Sequence, residues 1–366
     1  MHVGLVIPGS LDTVSGGYLY DRMLVRYLEA CGDRVTVFSL PVTGYARQLV
    51  QNSGGARYEQ LCTTSVDVLL QDELAHPALF WLNRRLRLRR AVPLVGIVHH
   101  LRSSERHPAP LRPLYRRVER AYLRTLDGFV YNSRTTRQAV AALAGQQKPG
   151  VIAYPAANQW QSELSEDEIR VRALAPGPLR LLFVGNVIPR KGLDLLLDAL
   201  PRLPPAAWRL DVVGDLTVAP AYARRLQERV QQQGLDGHIG FHGRLPDSAL
   251  AERFLHSHLL AMPSRYEGFG IAYLEGMAYG LPAVAGSGGA AHELVAPGET
   301  GFLVGPGDAA RLATHLAALA ADRTWLAAMA VAAYHRYQAH PTWAESMERV
   351  RRFVLRIGSV RLEKSP

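Results

Sequence analysis

The sequence predicts an α/β protein built from two doubly wound parallel sheets, each covered by helices. Two observations support this prediction. The chain has 366 residues, more than the roughly 250–300 residues at which a single hydrophobic core stops growing. Short apolar runs, typical of buried strands, also alternate with helical patterns in two separate series along the chain.

Composition excludes several other classes of protein. With 48% hydrophobic and 20% charged residues, the chain is too apolar to be disordered. No uninterrupted apolar run approaches the ~20 residues that span a bilayer, and the N-terminal residues lack the basic lead of a signal peptide. The two cysteines cannot form a disulfide framework or a cysteine-based zinc site. We therefore expect a cytoplasmic protein.

The first series of strands and helices predicts an N-terminal domain at residues 1–160. Its predicted strands are Val3–Ile7, Arg34–Leu40, Val66–Leu70, Leu94–Val98 and Gly128–Tyr131, and the helix Tyr18–Ala30 follows the first of them. Because buried strands alternate with helices, we expect a parallel sheet with both faces covered. The segment Tyr154–Pro178, with three prolines and an acidic cluster, then predicts a linker that contains a short helix.

The second series predicts a C-terminal domain of the same kind at residues 175–342. Its predicted strands are Leu179–Val184, Leu210–Val213, Ile239–Phe241, Leu259–Met262 and Pro282–Ala285. Its predicted helices are Leu193–Leu200, Tyr222–Gln232, Ser248–His256 and Ala272–Tyr279. Ligands of doubly wound sheets bind outside the carboxyl ends of the strands, so we expect the site in the cleft between the two domains.

The positive charge is concentrated in the first half of the chain. Formal net charge is +10, and residues 1–150, with 20 Lys/Arg and 11 Asp/Glu, carry +9 of it. Such a field attracts anions. Two segments are especially basic: Arg84, Arg85, Arg87, Arg89 and Arg90, and the i+4 series Arg112, Arg116, Arg120 and Arg124.

Two interpretations of these basic segments remain open. They are either solvated helix faces or a surface that attaches the protein to anionic lipid at the inner face of the membrane. The chain shows no helix-turn-helix, zinc or RNA-binding signature, so we do not expect nucleic acid as a partner.

The most informative motif is Ser-Arg-Tyr-Glu-Gly-Phe-Gly at residues 264–270, between a predicted strand and a predicted helix. Free backbone N–H groups at a helix start bind anions such as a diphosphate. Gly268 and Gly270 allow a ligand to approach the backbone. Glu275 can accept hydrogen bonds from vicinal hydroxyls, as on a ribose, and Glu267 can face a second polyol. Two ordinary surface glutamates are the alternative.

A second motif, Gly185-Asn186-Val187-Ile188-Pro189-Arg190-Lys191-Gly192, also follows a strand and precedes a helix. Two adjacent cations there can neutralise the charge that develops on a leaving diphosphate. Gly185 permits a tight turn. An exposed Arg-Lys pair before a helix is the ordinary alternative.

Three weaker signals lie at the ends of other strands. Gly16 and Gly17 form a loop before a helix, where backbone N–H groups could meet phosphate. His99 and His100 end a buried strand, and because neighbouring strand residues point to opposite faces, one of them at most faces a ligand. The Gly-rich turn 286–289 leads to His292 and Glu293. No ligand spacing supports a metal site.

Taken together, these motifs resemble the retaining glycosyltransferases of family 4, which have the GT-B fold of two Rossmann-like domains facing a cleft. The resemblance runs from Val3 to about Phe353. Its most specific parts are the Glu267…Glu275 pair and the Gly185…Arg190-Lys191-Gly192 segment. In that family the last segment returns to the N-terminal domain, and residues 343–366 can do so through an apolar helical stripe.

The resemblance implies a role for each motif. Arg190 and Lys191 hold the diphosphate of a nucleotide-sugar donor, Glu267 contacts the transferred sugar, and Glu275 contacts the ribose. His99, with His100 as the alternative, lies near the sugar's C6 hydroxyl. The other donor-binding residues implied are Gly16, Gly17, Gly185, Gly268, Phe269, Gly270, Ile271 and Ala272.

The chain departs from the family pattern where the donor is chosen. Asn186 replaces a common arginine, and the turn before Glu293 is one residue longer than the usual motif and lacks its proline. Arg244 and Leu245 belong to the same donor-selecting region.

We therefore expect a retaining, metal-independent glycosyltransferase with no cofactor and a UDP- or GDP-linked donor. Its acceptor hydroxyl would lie on a lipid-linked or membrane-borne glycan, as in polysaccharide or glycolipid biosynthesis. The alternatives are a sugar-nucleotide epimerase on the same fold and a catalytically silent donor-binding or scaffold subunit.

Overall fold

The computed structural model describes residues 1–51, 55–105, 107, 110–145, 148–157 and 164–362. The middle of the predicted linker, residues 158–163, lies outside this set. Contacts divide the chain into two compact units. The N-terminal unit comprises Met1–Pro155 and Pro341–Pro366, and the C-terminal unit comprises Ala156–His340.

The N-terminal unit contains a six-stranded parallel sheet. Its strands are β1 (His2–Pro8), β2 (Arg34–Leu40), β3 (Val68–Asp72), β4 (Leu94–Val98), β5 (Gly128–Tyr131) and β6 (Gly150–Ile152), in the order β2-β1-β3-β4-β5-β6. The third strand lies two residues later than the sequence predicts, so its last residue is Asp72 and not Leu70.

Eight helices belong to the described part of this unit. They are α1 (Gly16–Ala30), α2 (Tyr45–Gln51), α3 (Ala56–Thr63), α4 (His76–Leu79), α5 (Leu82–Arg89), α6 (Arg112–Leu123), α7 (Arg134–Ala144) and, from the end of the chain, α15 (Trp343–Leu362). The returning helix α15 packs on α1 and β6. Its apolar stripe is fully buried, with Met347 and Val350 at 0% exposure.

The C-terminal unit contains a second six-stranded parallel sheet. Its strands are β7 (Leu179–Val184), β8 (Trp208–Val213), β9 (Ile239–Gly243), β10 (Leu259–Met262), β11 (Ala283–Gly286) and β12 (Gly301–Val304), in the order β12-β11-β10-β7-β8-β9. Its helices are α8 (Glu166–Leu174), α9 (Leu193–Ala199), α10 (Pro220–Gln232), α11 (Asp247–His256), α12 (Ile271–Ala278), α13 (Ala309–Ala321) and α14 (Arg323–Gln338).

The short helix predicted in the linker is α8, and it is an integral part of the C-terminal unit. Ser165 and Glu168 form a capping box that satisfies backbone N–H groups at its start. It packs along α14, and Arg172 donates to the carbonyl of Tyr279 at 2.6 Å.

No single helix among the described residues is long and apolar enough to cross a membrane. The segments Ala309–Ala321 and Arg323–Ser359 pass that test of length and composition only as a pair, bent by 103°.

Candidate functional site

The two strongest motifs meet at the switch point of the C-terminal sheet. In that sheet β7 lies between β8 and β10, so the chain runs outward in one direction from β7 and in the other from β10. In doubly wound sheets the crevice that binds ligands lies at the carboxyl ends of two such strands. One loop carries Arg190 and Lys191, and the other carries Glu267.

Glu267 and Lys191 form a buried ion pair across this crevice. The Lys191 Nζ donates to Oε1 of Glu267 at 2.7 Å, and their side chains are 15% and 7% exposed. Arg190 approaches the same carboxylate, with Nη1 3.4 Å from Oε2, and donates to the carbonyl of Tyr266 at 2.8 Å. The carboxylate is therefore held between two cations.

Electrostatics keep this pair ionised. Burial alone would raise the pKa of Glu267, but the charges of Lys191 and Arg190 outweigh burial and lower that pKa to about 2. Burial lowers the pKa of Lys191, and the nearby carboxylates of Glu267 and Glu275 oppose that effect. The charge of Glu275 thus acts on Lys191 in the same direction as that of Glu267.

A second ion pair fastens the two loops to each other. Arg265 contacts Asp194 at the start of α9, with 2.5 Å between Nη2 and Oδ2. The backbone N–H of Arg265 donates to the carbonyl of Arg190 at 2.8 Å. Tyr222 donates its hydroxyl to Asp194 at 2.9 Å. The loops are thus joined through backbone and side chains, which fixes Lys191 relative to Glu267.

The Gly-rich turn after β11 supports the glutamate loop directly. The backbone N–H of Glu267 donates to the carbonyl of Gly288 at 3.1 Å, and Ala290 N–H donates to the Glu267 carbonyl at 2.8 Å. A Cβ on Gly286 would lie 1.8 Å from the carbonyl oxygen of Ser264, and one on Gly288 would lie 2.1 Å from that of Arg265. Only glycine allows this approach, so the turn has a structural role in holding Glu267.

Helix α12 begins where the sequence indicates an anion site. Gly270 precedes it with φ +97°, a left-handed conformation that favours glycine, and a Cβ there would also strike the Tyr273 ring. Ile271 and Ala272 form its first turn and are half-buried, and Glu275 follows one turn later. Gly268 is half-buried beside the buried Phe269.

The remaining predicted residues of this unit lie at neighbouring strand ends. Gly185 has φ +149°, and a Cβ there would lie 3.4 Å from Cε of Lys191; Asn186 is half-buried next to it. Arg244 is exposed after β9, with Leu245 half-buried beside it. Glu293 lies after the Gly-rich turn, where its carbonyl accepts from Arg336 at 2.6 Å.

The predicted residues of the N-terminal unit form a second cluster, at the switch point between β1 and β3. The His99 imidazole is buried and packs on Gly17, where a Cβ would lie 3.2 Å from its ring. Gly16 and Gly17 begin α1, whose N-cap is Ser15. His100 is half-buried and turned to Glu105, at 3.0 Å from Nε2 to Oε1.

Two residues of this cluster escaped the sequence analysis. Asp21 on α1 and Asp72 at the end of β3 are both 0% exposed, and Oδ1 of Asp21 lies 3.6 Å from Nε2 of His99. The sequence pattern could have indicated both residues. Asp21 shares a helix face with the apolar Leu24 and Leu28. Asp72 is the last residue of a buried strand, and His99 directly follows another.

The basic segments differ in how their arginines are used. On α5, Arg87 donates to Asp127 at 2.9 Å and Arg89 pairs with Glu59 at 2.9 Å; Arg90, directly after the helix, donates to the Leu61 carbonyl at 2.9 Å. On α6, Arg112 and Arg116 are exposed, whereas Arg120 donates to the Leu143 carbonyl at 2.8 Å. Arg124, directly after α6, is exposed, and so are Leu111 and Leu114 at 38% and 42%. The α6 surface is therefore the freer of the two.

Comparison with known proteins shows a similarity between the C-terminal unit and a known family. Residues 165–336 match the sequence model described as "Glycosyl transferases group 1". That range contains both loops of the crevice and helix α12. The C-terminal unit is therefore similar to glycosyl transferases group 1 domains.

Curated relatives carry names of the same kind. The chain is 36% identical over 163 residues to a GDP-mannose-dependent alpha-(1-6)-phosphatidylinositol monomannoside mannosyltransferase of Mycolicibacterium smegmatis, covering 42% of this chain and 41% of that protein. It is 28% identical over 314 residues to a D-inositol 3-phosphate glycosyltransferase of Nocardia farcinica, covering 79% and 69%. The chain thus spans less than half of the first relative's length.

Solved structures show the same fold over the whole chain. Sucrose-phosphate synthase from Thermosynechococcus elongatus has a TM-score of 0.79 at 20% identity, covering 99% of this chain and 98% of that one. HepE from Anabaena, in complex with UDP and glucose, has a TM-score of 0.70 at 22% identity, with coverage of 99% and 98%. The fold of the chain is GT-B, as the sequence predicts.

Proposed function

We propose that this protein is a retaining glycosyltransferase that moves a sugar from a nucleotide diphosphate sugar to an acceptor hydroxyl. The observation that carries the proposal is the Lys191–Glu267–Arg190 cluster, with a buried carboxylate between two half-buried cations, at the switch point of a unit that matches the glycosyl transferases group 1 model. Two fixed cations there lie where a doubly wound sheet binds its ligand.

The cations would stabilise the leaving group. When the bond between the anomeric carbon and the diphosphate oxygen breaks, negative charge develops on the departing nucleoside diphosphate. Arg190 and Lys191 would lower the energy of that state. The N–H groups at the start of α12 would add a further anion-binding element. Positive charge from these residues would make a metal ion and any other cofactor unnecessary.

The state of Glu267 favours a direct displacement. Its carboxylate is held by Lys191 and Arg190, which lower its pKa to about 2, so its basicity and hence its nucleophilicity are small. We propose a front-face displacement instead of a covalent sugar–enzyme intermediate. The acceptor oxygen bonds to the anomeric carbon as the diphosphate oxygen leaves, and the acceptor proton passes to that leaving oxygen. The enzyme's part is orientation and charge stabilisation.

For the substrates, the names of the relatives give a starting point. One is named as GDP-mannose-dependent and as acting on a phosphatidylinositol mannoside. We propose a GDP- or UDP-linked sugar as donor and a lipid-linked or membrane-borne glycan as acceptor. The protein would work in the cytoplasm, peripheral to the inner face of the membrane, through the exposed arginines of α6.

Sugar transfer tests the proposal directly. The protein is incubated with GDP-mannose, UDP-glucose or other nucleotide sugars and with phosphatidylinositol vesicles or inositol phosphate as acceptors. Proton NMR then identifies the product and its anomeric configuration. We expect a released nucleoside diphosphate and a glycoside with the donor's configuration. An inverted product would contradict the retaining mechanism. An altered nucleotide sugar formed without acceptor would indicate an epimerase, and donor binding without any reaction would indicate a scaffold subunit.

A further inference from the structure

The cluster around His99 holds more buried charge than its hydrogen bonds can satisfy. Both oxygens of Asp21, Oδ2 of Asp72 and Nε2 of His99 are inaccessible and have no hydrogen-bond partner within the described residues. One ligand atom from each of the three residues lies within 4.8 Å of the other two. Two carboxylates and an imidazole therefore share one small, closed space.

Three different elements bring these groups together. Asp21 comes from α1, Asp72 ends β3, and His99 follows β4. Because β1 lies between β2 and β3 in this sheet, their meeting point is where the chain reverses direction, the place at which doubly wound sheets bind ligands. The cluster lies beside the first turn of α1, since the His99 ring packs on Gly17.

Two unneutralised carboxylates cannot be buried together without a large penalty. Burial raises the pKa of Asp72 to about 8, and the charge of Asp21 adds to this effect, so Asp72 holds a proton at neutral pH. Burial alone would lower the pKa of His99, but the interaction with Asp21 outweighs burial and raises that pKa above its ordinary 6.5.

We propose that Asp21 is a positioning residue that holds His99 as an imidazolium, so that His99 acts as a hydrogen-bond donor and cation and not as a general base. The Nε2–H of the ring is directed toward Asp21, and Nδ1–H is the donor left for a ligand. This role rests on the proposed glycosyltransferase function and deepens it: His99 would hold a sugar hydroxyl or the leaving diphosphate, whose oxygen receives the acceptor proton.

The surroundings of the ring complete the account. Besides Asp21, Asp72 and Glu73, the buried Tyr20 lies against it, with ring centroids 5.2 Å apart and the planes at 74°. Tyr20 donates its hydroxyl to the Ala153 carbonyl at 3.1 Å, so it offers that proton to the backbone and not to His99. The carboxylates therefore dominate the state of the imidazole.

Histidine titration by NMR tests the proposal without any substrate. The protein is labelled at histidine Cε1, and the His99 signal is assigned by its loss in His99→Gln. We expect a His99 pKa above 6.5 in the unaltered protein. In Asp21→Asn it should fall by about 1–3 pH units, the range for losing an opposite charge at this distance. Asp21→Glu, which keeps the charge, should retain a raised pKa.

The control variant is Asp33→Asn. Asp33 is also buried in this unit, and it pairs with the N-terminus at 2.8 Å and with Arg351 at 2.7 Å at the opposite, amino-terminal end of the strands. The Asp33→Asn protein should be less stable than the unaltered protein, but its His99 pKa should be the same. The His100 signal, from the ring paired with Glu105, should also stay unchanged in Asp21→Asn.

The pH dependence of turnover tests whether the protonation of His99 matters for sugar transfer. Turnover should decline as pH rises through the His99 pKa, and that decline should move to lower pH in Asp21→Asn. A decline on the acid side instead would mean that His99 works as a base and would overturn the proposal. So would a His99 pKa at or below 6.5, or one that Asp21→Asn leaves unchanged.

A bound metal ion is the alternative to protons as the species that neutralises the buried carboxylates of the cluster, and metal titration tests for it. Calorimetry with Zn²⁺ and with Mn²⁺ should show no stoichiometric site that Asp21→Asn abolishes; such a site would overturn the proton-based account. The NMR titration needs no substrate, so it tests the effect of Asp21 on the His99 pKa even if the protein transfers no sugar. A failure of this proposal can therefore be distinguished from a failure of the proposed function.

Discussion

Lys191 Nζ lies 2.7 Å from Oε1 of Glu267, and this distance joins residues 76 positions apart in the sequence. The pair connects two loops that leave neighbouring strands, β7 and β10. The ion pair fixes the position of the cation that would meet a diphosphate. A donor that binds there finds the charge in place and does not have to order it.

Replacing the lysine tests its charge. Lys191→Ala should lower turnover by roughly 10²–10³-fold, the scale for losing one stabilising group at a developing charge. It should also destabilise the C-terminal unit, because Glu267 would be left buried with only Arg190 near it. Lys191→Arg, which keeps the charge, is the matched variant for stability and should melt close to the unaltered protein. Near-normal turnover in Lys191→Ala would refute the assignment.

Glu267→Gln separates binding from chemistry. The amide cannot hold Lys191 as an ion partner, so that cation becomes more available to a diphosphate. We expect nucleotide binding to be kept or strengthened while turnover falls by at least about 10-fold, because orientation at the transferred sugar is lost. Calorimetry with the nucleoside diphosphate and steady-state kinetics measure the two effects. Equal losses in both would indicate that the carboxylate serves only to hold the fold.

The Gly-rich turn should tolerate no side chain. Gly288→Ala places a Cβ 2.1 Å from the Arg265 carbonyl oxygen, so the backbone that carries Glu267 must shift. We expect a loss of about 1–3 kcal/mol in the free energy of unfolding together with weaker nucleotide binding. Gly237→Ala is the control, because no atom of the described residues lies within 4 Å of its Cβ position and its φ is not left-handed. A Gly288→Ala protein with unaltered stability would contradict this role.

The N-terminal unit should be less stable in alkaline solution. Burial raises the pKa of Asp72 to about 8 and that of Glu119 to about 7, whereas both side chains ionise near pH 4 in the unfolded chain. The folded state thus binds more protons, and stability falls as pH rises from about 4 through 8. Chemical denaturation at pH 6 and pH 9 measures this. Asp72→Asn should flatten the dependence; an unchanged slope would argue against a protonated Asp72.

Binding to anionic membranes should depend on α6 and not on α5. Vesicles containing anionic lipid should sediment the protein, whereas neutral vesicles should not. Reversing the charge of the exposed Arg112 and Arg116 to glutamate should release it. Arg89→Glu, at a residue already paired with Glu59, should have a smaller effect. Equal sedimentation with both kinds of vesicle would contradict the membrane proposal.

Sequence patterns could predict most strands and helices because the buried strands are short, apolar and separated by turn residues. The predicted strand Val66–Leu70 was displaced by two residues, since the apolar run alone does not show where pairing begins. The edge strands β6 and β12 and helices α2, α3, α4, α7, α13 and α14 were not predicted. An edge strand needs its neighbour to be defined, and α14 has apolar residues on several sides, so its periodicity is weak.

The part of the site that lies within single strand–loop–helix segments could also be predicted from the sequence. A strand followed by a glycine loop and a helix locates Glu267, Arg190 and Lys191 at one edge of the sheet. Contacts between segments that are distant in the chain could not be predicted from the sequence. The ion pair of Arg265 with Asp194, the support that the Gly-rich turn gives to Glu267, and the meeting of Asp21 with His99 all depend on which strands are neighbours.

Nucleotide binding tests the central claim most directly. The purified protein is titrated by calorimetry with UDP, GDP and ADP and with their sugars, alongside Glu275→Ala and Lys191→Ala. We predict binding that is selective for one base and at least about tenfold weaker in both variants, the cost of one or two lost charge-assisted contacts. A folded protein that binds none of these nucleotides, or binds them equally well in both variants, would contradict the account.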